Sequence, residues 1–154
     1  MKKQYNKKYF SDHDSLPGYI AEEIAFILKN NGAKKILDVG SGTGKLTKFL
    51  KHKGFEAIGC DASKEATKIS GHIRANASKL PFKNEEFGAV LGVSLIEHLT
   101  QLEGEKFLAE SYRILQKNGL IFLVTPNFNS PLRFLKGKAW FGYTDPTHKV
   151  FYTR

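Results

Sequence analysis

The residues that could do chemistry gather where an acidic side chain and a run of glycines share one stretch, Asp38-Val39-Gly40-Ser41-Gly42-Thr43-Gly44, and where a second aspartate, Asp61, follows 17 residues after Gly44. Glycines let a backbone turn with positive φ and let a ligand approach with no side chain in the way. Unsatisfied N–H groups at the start of a following helix then point into the gap. Asp38, at the end of the preceding strand, can accept hydrogen bonds from the turn or from a ligand amine. Asp61, at the end of a neighbouring strand, can accept from both hydroxyls of a ribose. Both point to one nucleoside. Spacing then sorts the ligands. A P-loop needs Gly-x-x-x-x-Gly-Lys-Ser/Thr, but Val39 stands at its first glycine and Leu46 follows Gly44-Lys45. A dinucleotide turn needs Gly-x-Gly-x-x-Gly, and Lys45 stands at its third glycine.

These groups require a strand, a turn and a helix in that order. Ile36, Leu37 and Val39 form the short apolar run of a buried parallel strand, and Leu46, Phe49 and Leu50 recur at helical spacing until Gly54. Upstream, Pro17 suits a first helical turn, with Ile20, Ile24, Ile27 and Leu28 on one face and Asn31-Gly32 as the stop. Downstream, strands are expected over Glu56–Asp61, His72–Ala75, Phe87–Ser94 and Leu120–Val124. Ser63–Ser70 reads as a short helix broken by Gly71. Thr100 and Glu103 form a capping box for a helix that turns Phe107, Leu108, Ser111, Ile114 and Leu115 to the sheet and stops at Asn118-Gly119. The fold class is therefore α/β.

The ordered series Asp38 to Gly44, Asp61, Asn76-Ala77-Ser78-Lys79-Leu80-Pro81-Phe82, Phe87 to Leu91, Ser94-Leu95-Ile96-Glu97-His98-Leu99 and Thr125-Pro126-Asn127 resembles the class I S-adenosylmethionine (SAM) dependent methyltransferases, in their small-molecule and lipid-type branch. The resemblance runs from about Ile20 to Asn127. It implies a Rossmann-like, doubly wound parallel sheet of order 3-2-1-4-5 within a single domain over 1–154, flanked by an N-terminal arm at 1–15 and an aromatic C-terminal segment at 128–154. It implies SAM as cofactor, bound by Asp38, Gly40, Ser41, Gly42, Thr43, Gly44, Asp61, Ala62, Asn76, Ala77, Ser94 and Leu95. Two positions depart from the family: Asn76 replaces the aspartate that meets the adenine amine, and Gly88 replaces an aspartate in the fourth strand. The family's sheet has seven strands, so the resemblance also implies a short form or a fragment lacking the last ones.

A sulfonium methyl is already activated, so transfer is an in-line displacement that asks mainly for near-attack geometry. An oxygen or nitrogen acceptor can still need a general base, and His98 and His148, in the Asp145-Pro146-Thr147-His148 segment, are the candidates. No His or Cys spacing suggests a metal site. The single Cys60 falls in an apolar strand and reads as a buried structural thiol. Two other classes stay open: an NAD-binding oxidoreductase, and a non-catalytic methyltransferase-like partner subunit.

The 154 residues, 41% hydrophobic, suffice for one core. The formal charge of +9 admits RNA as a partner, but the lysines are scattered and accompany no nucleic-acid motif, so a solvated basic surface and a small-molecule acceptor are preferred. No apolar run approaches a bilayer span and no signal region follows the N-terminal lysines, which gives a cytoplasmic expectation. The fifth strand is expected at a bare sheet edge, either covered by the aromatic tail or used for self-association.

Overall fold

Ile36, Leu37 and Val39 are buried because their strand, β1 (Lys35–Val39), lies at the centre of a sheet and has neighbours on both sides. The computed structural model describes Tyr9 and residues 16–153. Apart from Tyr9, the arm expected at 1–15 lies outside the described residues.

The sheet is five-stranded and parallel, in the order β3-β2-β1-β4-β5, as the family resemblance implied. β1 pairs with β2 (Glu56–Asp61), setting Asp38 opposite Gly59 and Val39 opposite Cys60, and on its other side with β4 (Phe87–Val93). Alternation along the strands sends successive residues to opposite faces. Ile36, Ala57, Ala89 and Leu91 pack under Ile24 and Leu28 of helix α1 (Gly18–Asn30) and Leu46 and Leu50 of α2 (Lys45–His52). Leu37, Val39, Cys60 and Val90 meet Phe107 and Ile114 of α4 (Gln101–Ile114), with Ala77 and Leu80 beside them. Between β2 and the edge strand β3 (Ile73–Arg74), Ser63 caps the short helix α3 (Lys64–Ser70), and Gly71 ends it at φ +73°.

Four details differ from the sequence expectation or explain a departure. The third strand is only Ile73–Arg74, because His72 turns inward instead of pairing. α4 begins on the expected Thr100–Glu103 capping box but ends at Ile114, and Leu108 is exposed. Asn118-Gly119 is therefore not a helix stop. It lies within β5 (Leu115–Val124), where Asn118 at φ +64° accompanies a register jump from Phe87↔Leu115 to Ala89↔Leu120. Gly88 also acquires a reason: a Cβ there would sit 3.3 Å from Cα of Ala33, so its missing side chain lets the loop leading into β1 press against β4.

After β5 the chain forms α5 (Leu132–Lys136), a single 3₁₀ turn and α6 (Phe141–Thr144), in which Phe128, Trp140 and Tyr143 pack edge to face. This segment adds no strand to the sheet edge. It runs to the loop after β4, where the amides of Lys149 and Val150 donate to the carbonyl of Glu97, at 2.8 and 3.2 Å. Among the described residues β5 pairs only with β4.

Cys60 is fully buried in β2, and burial, with the charges of Asp38 and Asp61, pushes its thiol up to about 12. A thiol so protonated is a poor nucleophile at neutral pH. The folded chain is expected to resist a disulfide reagent at pH 8 and to react promptly once unfolded in guanidinium; rapid reaction of the native chain would contradict the burial.

Candidate active site

The glycine stretch turns as its composition requires: Gly40, Gly42 and Gly44 stand at φ +72°, +53° and +84°, conformations that side chains with a Cβ rarely adopt. The amides of Gly40 and Ser41 both donate to the carbonyl of Cys60, at 2.8 and 3.0 Å, which fastens the end of β1 to the end of β2. Gly44 caps α2 through its backbone alone. Asp38 is buried and accepts from the Thr47 hydroxyl of α2 at 2.7 Å, so it ties the strand to the helix that the turn opens.

Asp61 completes the turn. Its Oδ2 accepts from the Gly42 amide at 3.0 Å and its Oδ1 from the Ser63 amide at 2.7 Å, with Ala62 between them. A carboxylate fixed in this way is the kind of acceptor that a vicinal diol needs. Asn76 lies in the loop after β3, where its Oδ1 accepts from the Ser78 amide at 2.9 Å. Its carbonyl thus shapes its own turn, next to the buried Ala77. Arg113 and Glu110 of α4 pin the rest of that loop: the guanidinium donates to the carbonyls of Leu80 and Phe82, and Glu110 Oε2 accepts from the Leu80 amide. At the end of β4, Ser94 adopts φ +48°, and the Leu95 side chain closes on Gly40, where a Cβ would come within 2.9 Å of it. The turn, Asp61, the Asn76 loop and Ser94-Leu95 thus lie at the carboxyl ends of β1, β2, β3 and β4. Thr43, inside the turn, is half-buried.

Sequence reasoning missed His72. Its ring fills the room left by two glycines: a Cβ on Gly59 would lie 2.1 Å from Nδ1, and one on Gly44 would lie 2.6 Å from Cε1. Nδ1 lies 2.8 Å from the Ser41 hydroxyl. Burial, then the charges of Lys51 and Lys48, lower its pKa below the ordinary histidine value. Gly44 and Gly59 together were the only signal in the sequence that something must fill this space.

On the other side of the turn, Glu97 and His98 form a short 3₁₀ turn with Ile96, and His148 of the C-terminal segment comes to it, the two imidazole centroids 4.8 Å apart. Glu97 is buried, and neither carboxylate oxygen has hydrogen-bond geometry to a partner among the described residues, although the Thr125 hydroxyl lies beside it. Burial raises its pKa. Donor atoms of Glu97, His98 and His148 all lie within 4.8 Å of one another, so the fold assembles a group able to approach a cation where sequence spacing suggested none.

A methyltransferase domain family profile matches residues 37–123, which span the turn, Asp61 and the Glu97-His98 loop. The chain belongs to this family. This methyltransferase domain is 30% identical over 103 residues to a ubiquinone biosynthesis O-methyltransferase of Pelagibacter ubique, a match covering 60% of the chain and 42% of that protein. It is 31% identical over 125 residues to a glycine/sarcosine N-methyltransferase of Parasynechococcus marenigrum, covering 72% and 43%. The chain spans about half the length of the curated relatives it matches. A SAM-dependent methyltransferase from Archaeoglobus fulgidus shares the fold, with a TM-score of 0.66 at 23% identity, covering 86% of this chain and 63% of that one. The residues present fit the ribose of a SAM molecule: the Asp61 carboxylate, held by the amides of Gly42 and Ser63 beside the glycine turn, is the kind of acceptor a vicinal diol needs.

Asp61→Ala is expected to weaken SAM binding by about 1.5–3 kcal/mol, the worth of hydrogen bonds to a charged group; unchanged affinity in calorimetry would remove Asp61 from the site. For His72, the unfolded state binds the proton more readily than the folded one, so stability rises with pH in this region. His72 therefore supports the turn fully above about pH 6.5, and that support fades as pH falls toward its lower folded value. Thermal midpoints between pH 7.5 and 5 should fall less steeply for His72→Asn than for the parent; equal slopes would show that His72 does not carry this dependence.

Proposed function

We propose that this domain transfers a methyl group from SAM to a small-molecule acceptor by in-line displacement. The observation that carries the reading is the convergence of the Gly42 and Ser63 amides on the Asp61 carboxylate at the strand ends, with Leu95, just beyond β4, closing against Gly40. Bound SAM supplies an activated methyl group on a sulfonium. The chain's own part is to position. Asp61 and the Asn76 loop orient the nucleoside, the glycine turn admits its chain, and His98, which burial and then the neighbouring His148 keep below the ordinary histidine pKa, stands neutral near pH 7 as a proton acceptor. His148 is the second candidate base.

A small molecule is favoured over RNA because several lysines are occupied locally: Lys35 pairs with Glu56 and Glu86, Lys53 with Glu22 and Lys149 with Glu103. Relatives that methylate oxygen and nitrogen both match, so the acceptor atom follows from neither. No helix among the described residues is long and apolar enough to cross a membrane, and we place the domain in the cytoplasm.

Production of S-adenosylhomocysteine from SAM with a panel of phenol, quinol and amine acceptors tests the reading. Turnover with at least one acceptor is expected. SAM binding without turnover on any acceptor would favour the non-catalytic partner subunit, and binding of NAD in place of SAM would favour an oxidoreductase.

The outer edge of β5 has no strand partner among the described residues, and Ile121 there is 40% exposed. Such an edge is a template for another strand, so we propose self-association of the 154-residue chain through it. Sedimentation should show concentration-dependent dimers that Ile121→Lys disperses; a monomer at all concentrations would contradict this.

A further inference from the structure

We propose that the surface built on α5 docks the domain onto an anionic lipid bilayer. The inference does not depend on the methyltransferase reading.

The sequence supplies both halves of such a surface. Between Glu110 and Asp145 the chain carries no acidic residue, while Leu132-Arg133-Phe134-Leu135-Lys136-Gly137-Lys138 mixes bulky apolar and basic side chains. Folding does not bury the apolar ones. Trp140 turns inward and is 1% exposed, whereas Leu132, Phe134 and Leu135 are 51%, 75% and 82% exposed. Single exposed hydrophobic residues are ordinary, but three on one five-residue helix make a patch, and such patches mark contact surfaces. The helix is fastened on both sides, because Phe128 before it packs edge to face with Trp140 and Tyr143 after it. The same segment is bonded to the Glu97 loop through Lys149 and Val150, so the patch belongs to the element that reaches the candidate active site.

Charge decides the partner. The Arg133 guanidinium lies 4.5 Å from the ring centroids of Phe128 and Phe134 alike. Such stacking occupies the face of a guanidinium and leaves the N–H groups around its edge for phosphate oxygens. Arg133 and Lys138 line one open groove with Phe134 and Tyr143, and Lys136 is exposed beside them in the chain. Among the described residues none of these three cations joins an ion pair, in contrast to Lys35, Lys53 and Lys149. A protein-binding face is depleted of lysine at its centre. A nucleic-acid face pairs its cations with aromatic stacking platforms and not with exposed leucines. An anionic bilayer takes both halves: the apolar side chains enter the boundary between headgroups and acyl chains, and the cations meet the phosphates. Docking of this kind lies in the interface plane and needs no spanning helix.

Flotation of the 154-residue chain with vesicles containing phosphatidylglycerol, and with vesicles of phosphatidylcholine alone, tests the proposal. Binding to the anionic vesicles alone is expected. It should weaken by about fivefold for each cation removed in Lys136→Gln/Lys138→Gln, and by at least about tenfold in Phe134→Ser/Leu135→Ser. These side chains are exposed, so both variants should keep the parent's thermal midpoint, which separates lost docking from lost folding. A parent that does not float, equal flotation on phosphatidylcholine, or flotation unchanged in either variant would overturn the proposal. If the parent does not float and Phe134→Ser/Leu135→Ser instead disperses its dimers, the patch seats a second copy of the chain. If the parent does not float and Lys136→Gln/Lys138→Gln releases it from RNA, the cations serve nucleic acid. Either result overturns bilayer docking.

Discussion

One carbonyl and one carboxylate hold this site together. The Cys60 carbonyl takes the amides of Gly40 and Ser41, and the Asp61 carboxylate takes those of Gly42 and Ser63, so three successive amides of the turn and one just beyond β2 are met by the end of a single strand. An unpaired amide in such a place costs about 1–3 kcal/mol, so the turn and the strand end stabilise each other. The positive φ values at Gly40, Gly42 and Gly44 make the arrangement reachable. Everything nearby takes its place from it: α2 starts where the turn ends, Asp38 meets Thr47 across it, and His72 fills the space beneath it.

A second constraint brings the C-terminal segment into the site. Main-chain bonds from Lys149 and Val150 to Glu97, together with the aromatic packing of Phe128, Trp140 and Tyr143, fix the segment against the loop after β4. That docking buries the Glu97 carboxylate and sets two imidazoles side by side. Burying an ionisable side chain without a well-formed partner is unfavourable, and tertiary packing of the segment must offset it. Such strained polar burial is common where function, rather than stability, selects the residue.

Much of this was legible in the sequence because it is local. The apolar run ending in glycines marks β1 and its turn, the Thr100–Glu103 box marks the start of α4, and Asp61 falls at the end of its strand as its spacing indicates. The strand order came with the family resemblance. What escaped is long-range or ambiguous in period. His72 looks like a strand residue until Gly44 and Gly59 are seen to lie on either side of it. Asn118-Gly119 has the chemistry of a helix stop and of a bulge alike, and only the pairing with Phe87 and Ala89 distinguishes them. Nothing local announces that Thr147 will meet His98, because the contact spans 49 residues and depends on the C-terminal segment docking on the Glu97 loop.

The central claim is that the turn and Asp61 form one nucleoside site, and amide chemical shifts report on it directly. Titrating SAM into the ¹⁵N-labelled chain should move the amide signals of Gly42 and Ser63 together, in a saturable fashion with one dissociation constant, while NAD leaves them in place. Saturable binding that moves neither amide, or equal shifts with NAD, would contradict the account.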